Sequence, residues 1–142
     1  MPTAPGVFVW KDGIVTINGV DLSEYVRDVK ITKVKSQEDA TGLNGNGVSQ
    51  KIPGLADEQF EITFMSSFSA GAVDATLQPL YEDETEFEVA VTPRNASVAA
   101  TNPKYAALCR LFEYDPVDAA IGATAMMTVP FVASESIARH TT

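Results

Sequence analysis

The chain has 142 residues, enough for one ordinary domain whose core needs no disulfide or metal. Hydrophobic residues make up 45% of the sequence and charged residues 20%, which is typical of a folded protein rather than a disordered one. One cysteine, Cys109, excludes an internal disulfide, and no apolar stretch reaches the ~20 residues that a membrane helix needs. The first residues also lack the features of a signal peptide. We therefore expect a soluble intracellular protein.

The charge is unevenly distributed. The chain carries 19 acidic and 10 basic residues, a formal net charge of −9. Residues 1–54 and 93–142 are each balanced, so residues 55–92 contain the whole acidic excess and no base. Binding to nucleic-acid phosphates requires clustered lysine and arginine, which this pattern excludes. A solvated face that aids solubility is the simplest interpretation of the acidic segment.

The first third of the chain predicts short strands joined by tight turns. Runs of strand-forming residues at 7–10, 14–17 and 20–22 are separated by the pairs Asp12-Gly13 and Asn18-Gly19, which favour hairpin turns. A further strand is expected at 29–34. Its lysines do not follow one face, which favours a sheet edge.

Residues 36–54 break every periodic pattern. The segment contains four glycines, Asn44, Asn46 and Pro53, and little that could pack in a core. It predicts a long structureless loop, a feature that is usually functional or disordered. No Gly-Lys-Ser/Thr follows these glycines, so a phosphate-binding loop is not indicated.

The rest of the chain predicts strands around a single helix. Phe60, Ile62 and Phe64 alternate with Glu61 and Thr63 along residues 58–64, which predicts a strand with one buried face. A helix capped by Ser69 is expected at 69–81. Alternating strands are expected at 85–91 and 124–132, a buried segment at 105–114 fits a strand slightly better than a helix, and residues 134–142 form a polar tail.

These elements together predict a mainly β protein: one domain, residues 1–142, built as an antiparallel β-sandwich or barrel with one packed α-helix and a long central loop.

No arrangement typical of an enzyme or of a metal or cofactor site is found. The only histidine, His140, falls in the predicted tail, and Cys109 lies among leucines as a small core residue would. The acidic residues near Glu84 lack the spacing of a calcium loop. We therefore expect no catalytic residues, no metal and no cofactor.

The layout of the chain resembles a known protein family. The order is "VTINGVDLSEYVRDV", the loop "QEDATGLNGNGVSQKIPGL", the strand "EQFEITFM", the helix "AVDATLQPLYED", the strand "TEFEVAVTP", then "NPKY" and "TVPFVASESIARHTT". It resembles the major tail tube proteins of long-tailed, non-contractile (siphovirus-type) bacteriophages. The similarity extends from about residue 15 to residue 142 and is one of pattern rather than of an invariant signature.

The resemblance implies a structural virion protein of the phage tail, made in the host cytoplasm. Six subunits would form a ring, and rings would stack into a hollow tube through which DNA passes without specific binding. The implied partners are other copies of the chain and the tape-measure, tail terminator and distal tail proteins, with no membrane.

The resemblance also assigns roles to segments. An N-terminal arm, residues 1–6, and the tail, residues 134–142, could order against neighbouring subunits. Within residues 36–54 the inter-ring contacts are expected at Gly42, Leu43, Asn44, Gly45, Asn46, Gly47, Lys51 and Pro53. An acidic lumen would let DNA slide by repulsion, through either Glu84, Glu86 and Glu88 or Glu58 and Glu61. The same carboxylates could instead lie on the outer wall.

Three other classes of protein remain open. A tail terminator or head–tail connector would form single rings only. A capsid or tail decoration module would use the same sandwich for binding. A small acidic hydrolase would need its carboxylates in a cleft.

Overall fold

The computed structural model describes residues 9–43 and 47–142. Within those ranges the chain forms eight strands, one α-helix and a short 3-10 helix, Ser23–Tyr25. The strands are β1 (Ile14–Ile17), β2 (Val20–Asp21), β3 (Val26–Asp39), β4 (Lys51–Met65), β5 (Phe87–Thr92), β6 (Lys104–Leu111), β7 (Met126–Ala133) and β8 (Ala138–His140), and the helix is α1 (Val73–Asp83).

All eight strands belong to one antiparallel sheet. The strand order is β2-β1-β5-β6-β7-β4-β3. β8 lies off this path and pairs with residues 104–106 of β6, whereas β7 pairs with residues 109–111 of the same strand. The prediction of a mainly β protein with one helix is confirmed. So is the turn at Asn18-Gly19, where both residues adopt positive φ angles and connect β1 to β2.

The sheet has a buried face and an outward face. Residues that pair across neighbouring strands share a face, so Phe60, paired with Phe131, and Ile62, paired with Val129, point into the core. Phe131 lies at its centre, 5.8 Å from the Phe87 ring and 6.4 Å from the Phe64 ring, edge to face in both cases. The alternation predicted for residues 58–64 and 85–91 is therefore confirmed.

Helix α1 covers one end of the core. Val73, Leu77 and Leu80 are buried against the sheet. The helix begins four residues later than predicted: Ala72 stands at the N-cap, and Ser69 caps nothing. Pro79 lies inside the helix, which ends at Asp83 and is followed by Glu84 in the left-handed conformation, with φ +54. The two ends of the sheet are named as follows. The helix end is the one where β4 and β6 finish and β7 begins, and the hairpin end is the opposite one.

The central segment is not the structureless loop expected for residues 36–54. β3 continues as far as Asp39 and β4 begins at Lys51, so that only residues 40–50 connect the two strands. The ladder continues through Glu38, opposite Ile52, beyond a bulge where a side chain at Gly54 would collide with Ser36. Because both faces of this ribbon are exposed, its sequence shows no apolar alternation.

The predicted polar tail is also partly wrong. β8 pairs with β6, placing His140 opposite Lys104, because Ile137 is buried in the core and draws the segment inward. At the chain's other end, the predicted strand at 7–10 is absent at Val9 and Trp10. The rest of that strand and the arm at residues 1–6 lie outside the described residues.

Candidate assembly surfaces

β3 has a long unpaired edge. Its fourteen residues pair with β4 on one side, and no other strand in the described ranges pairs with the second side. An exposed edge presents a row of free N–H and C=O groups that can pair with another chain. The edge position predicted for residues 29–34 is therefore confirmed.

The hairpin formed by β3 and β4 projects from the body of the domain. Residues 34–43 and 47–57 are exposed. Thr41 organises its described tip: the Gln50 N–H donates to Thr41 Oγ1 at 2.7 Å, and the Thr41 N–H donates to Asp39 at 2.9 Å. The bonds from Thr41 lower the pKa of Asp39, whose carboxylate also lies 3.9 Å from Lys51 Nζ. These bonds hold residues 39–41 and 50–51 in a defined arrangement next to the tip.

The residues expected to contact a neighbouring ring fall on this hairpin. Gly42, Leu43 and Gly47 lie in the connection, whereas Lys51 and Pro53 belong to β4. Asn44, Gly45 and Asn46 lie outside the described residues. Among the exposed hairpin side chains are the apolar residues Val34, Leu43, Val48, Ile52 and Leu55.

Glu58 is not a free surface carboxylate. It is only 8% exposed, its Oε1 atom lies 3.7 Å from Lys33 Nζ, and it accepts a bond of 3.4 Å from the Ile137 N–H. Lys33 in turn donates to the Ile137 carbonyl at 2.9 Å. The charge is therefore paired, and its contacts hold the C-terminal segment against β3 and β4.

Glu61 lies on the outward face of the sheet and is half-buried. It stands between Lys30 of β3 and Pro130 of β7 in the ladder. The next pair along this face is Thr63 and Thr128, whose hydroxyls are 3.0 Å apart. The structure therefore separates Glu61 from Glu58, which the sequence had grouped together.

Glu84, Glu86 and Glu88 lie together where α1 leads into β5. All three are exposed. Arg110 of β6 connects two of them: its guanidinium donates to the Glu84 carbonyl at 2.9 Å and lies 3.3 Å from Glu86 Oε1. Glu88 lies on the outward face of β5, opposite Leu108. Glu88 thus shares the outward face with Glu61, three strands away in the sheet.

The helix end carries an exposed apolar surface that the sequence analysis missed. The connection between β6 and β7, residues 112–125, exposes Phe112, Val117 and Ile121, and Phe68 is exposed after β4. Tyr114 anchors this connection by donating to Asp74 Oδ1 of α1 at 2.6 Å. The sequence does contain a signal for this surface. Val117, Ile121 and several alanines follow one another in a segment that lies between two predicted strands.

The residues considered for catalysis are far apart. Cys109 is fully buried, and burial, with a smaller effect of the Glu135 charge, raises the pKa of its thiol to about 12. His140 lies opposite Lys104, five residues away along β6, or about 16 Å at the strand rise. Across the described ranges, His, Cys, Asp and Glu side chains nowhere gather in a group of three able to hold a metal ion. No helix in the same ranges has the length and apolar character to cross a membrane.

Comparison with solved structures identifies the architecture. A chain from the virion of a native gene transfer agent particle superposes with a TM-score of 0.74 over 94% of this chain and 98% of that chain, at 11% identity. A chain from the tail of an empty gene transfer agent particle, refined with C6 symmetry, gives 0.65 over 80% and 81%, also at 11% identity.

This chain has the fold of a phage-type tail protein. The Dit protein of phage SPP1, part of a hub adsorption apparatus in phages infecting Gram-positive bacteria, shares the fold with a TM-score of 0.50 and 14% identity, over 88% of this chain and half of that one. Neither a protein-family model nor a curated protein sequence matches the chain. The similarity of this tail-protein fold therefore lies in three dimensions rather than in sequence.

Proposed function

We propose that this chain is a non-enzymatic structural subunit of a phage-type tail, and that it forms hexameric rings stacked into the tail tube. The main support for this proposal is the superposition on a chain from a virion over nearly the full length of both chains. The second similar chain belongs to a tail with C6 symmetry, which supports a sixfold ring.

The unpaired edge of β3 supports lateral association. Along these fourteen residues, alternate N–H and C=O groups point away from β4, and such an edge is a template for pairing with the sheet of a neighbour. Because a head-to-tail contact uses two different surfaces, repeating it closes a ring when the rotation between subunits fits. We propose that ring formation covers this edge.

The outward face of the sheet is the proposed wall of the lumen. It carries Glu61 and Glu88, with Glu86 nearby, and α1 packs against the opposite face. Carboxylates on this wall would repel DNA phosphates and so prevent it from sticking. The proposed wall does not include Glu58, because Lys33 neutralises its charge. It does not include Glu84 either, because that residue lies at the helix end.

Charge reversal tests the lumen proposal. Glu61→Lys and Glu88→Lys should leave tubes intact and slow DNA delivery, because each places a cation where phosphates pass. Glu24→Lys, at an exposed residue of the 3-10 helix rather than of the sheet, is the matched control. Normal infectivity in both lumen variants would place these residues on the outer wall. A defect in only one of them would identify the strand that faces the DNA.

The wider assembly follows from the same proposal. The tape-measure protein would occupy the lumen, and the terminator and distal tail proteins would contact the two ends of the tube. The subunit would be assembled in the host cytoplasm and end in the virion tail.

Negative-stain electron microscopy of the concentrated protein tests the proposal directly. Hollow tubes with a regular axial repeat are expected. Single rings would instead favour a terminator, connector or hub protein, an alternative that the likeness to Dit supports. Small monomeric particles in the presence of tail initiator proteins would refute ring formation and favour a decoration module. Deleting residues 42–47 should abolish stacking in a tube protein and leave a single-ring protein unaffected.

A further inference from the structure

The helix end exposes four large apolar side chains. We define the helix-end patch as Phe68, Phe112, Val117 and Ile121, which are 63%, 67%, 77% and 107% exposed. The Ser66 N–H donates to the Ala125 carbonyl, so the residues after β4 and the connection between β6 and β7 meet at this end of the sheet. Exposed apolar side chains gathered at one end of a folded protein indicate a contact surface. The Tyr114–Asp74 hydrogen bond fixes the loop on α1, so the patch is presented on a supported element. It therefore requires a partner.

A second apolar surface lies at the other end of the same sheet. We define the hairpin patch as Leu43, Val48, Ile52 and Leu55, all exposed on the projecting ribbon. β4 connects the two ends and contains fifteen residues, so they are about 45 Å apart. One copy cannot bring its own two patches together. Each patch must be covered by another molecule.

The charges distinguish which patches meet. Exposed carboxylates outnumber cations at the helix end. The cations are Arg110 and Arg27, whose guanidinium lies 3.9 Å from Met65 Sδ at the end of β4. The six carboxylates are Glu82, Asp83, Glu84, Glu113, Asp115 and Asp118. Two helix ends facing each other would oppose these carboxylates, an arrangement that costs several kcal/mol. The hairpin, by contrast, carries Lys35 and Lys51 beside its acidic residues and is close to neutral.

We propose that the hairpin patch of one copy docks on the helix-end patch of the next copy along the tube axis. A contact between unlike ends covers both surfaces, avoids the acidic repulsion and repeats without limit, as a heterologous contact does. Pairing of hairpin with hairpin would leave every helix-end patch exposed. This inference rests on the proposed function, and it adds the surface that receives the hairpin.

Cross-linking between two variants that each carry one added cysteine tests the contact. Ile52→Cys and Ile121→Cys are mixed in concentrated protein and treated with a short bifunctional maleimide. The native Cys109 is buried and should not react. We expect a covalent dimer in the mixture and little in either variant alone. Leu108→Cys, which lies on the outward face between the two ends, replaces Ile121→Cys in the control mixture.

A substitution in the patch provides the second measurement. Val117→Asp should weaken axial assembly by about tenfold, the effect of exposing one buried valine and adding a charge to an acidic surface. Val9→Asp, at a residue of nearly equal exposure, 75%, is the matched control and should have no effect. Electron microscopy then separates rings from tubes.

The outcomes distinguish the two proposals. Tubes together with the mixed cross-link, and isolated rings in Val117→Asp, support the docking inference. Tubes in which Ile52→Cys cross-links only to itself or to Leu108→Cys overturn the inference and leave the proposed function standing. Protein that forms neither tubes nor rings and gives no mixed cross-link overturns both.

Discussion

Replacing Asn102 should destabilise the domain by more than any exposed asparagine can. Asn102 is 5% exposed and holds the connection between β5 and β6. Its Oδ1 accepts from the Arg94 N–H at 3.0 Å, and its Nδ2 donates to the carbonyls of Arg94, Ala96 and Ser97 at 3.2–3.3 Å. Two hydrogens on Nδ2 are shared by three carbonyls, so about three net hydrogen bonds are at stake.

The expected loss follows from that count. At about 1 kcal/mol for each bond, Asn102→Ala should lower the free energy of unfolding by about 2–4 kcal/mol. That is a large part of the roughly 5–15 kcal/mol available to a domain. The thermal midpoint should fall by about 10 °C. Asn95→Ala, in the same connection but exposed, should change the free energy by less than about 0.5 kcal/mol.

Chemical denaturation of the wild type and both variants measures the effect. Asn102→Asp adds a test of direction, because a carboxylate has no hydrogen to donate to the three carbonyls. Its pKa should rise above the unfolded value, so the variant should be most stable below about pH 4 and lose stability as the pH rises. Equal unfolding midpoints for Asn102→Ala and Asn95→Ala would refute the reasoning.

Three further predictions concern the core and its ionisable groups. Burial raises the pKa of Cys109 from 9.0 to about 12, so the stability that the protonated thiol contributes is complete below pH 9 and is lost as the pH rises toward 12. Urea titrations between pH 9 and 12 should therefore show a free energy of unfolding that falls with pH, and Cys109→Ala should reduce this slope by about 1.4 kcal/mol per pH unit. An unchanged slope would contradict this. Phe131→Ala should cost about 3–5 kcal/mol, whereas the exposed Phe68→Ala should cost far less, both measured by denaturation. Tyr114→Phe removes the bond to Asp74 and should cost about 1–2 kcal/mol; faster proteolysis within residues 112–125 would confirm its anchoring role, and an unchanged rate would refute it.

Strands with one solvent-exposed face were predictable from the sequence, because burial of the other face in the core requires apolar and polar residues to alternate. Phe60, Ile62 and Phe64 are buried in the pattern that their spacing predicts. The hairpin ribbon was not predictable, because its strands are stabilised by the ladder between them and have no buried face. β8 was missed for a similar reason: one apolar residue, Ile137, is too little to reveal a strand.

The candidate sites were predicted unevenly. Glu58 shares the parity of Phe60, so the alternation that places Glu61 outward also places Glu58 toward the core, and its burial was predictable from the sequence. Its pairing with Lys33 depends on the register of β3 against β4, which no local pattern contains. The clustering of Glu84 and Glu86 around Arg110 likewise joins residues that are distant in sequence.

The way the C-terminal segment closes the core has a consequence for folding. The contacts of Ile137 with Lys33 and Glu58 span 104 and 79 residues of sequence, and β1 pairs with β5 across a comparable gap. Pairings this remote make folding slow, and the contacts of Ile137 cannot form until that residue has left the ribosome. A nascent chain that has not yet reached Ile137 therefore lacks a closed core. Under the proposed function, the order of synthesis would keep incomplete chains out of the rings.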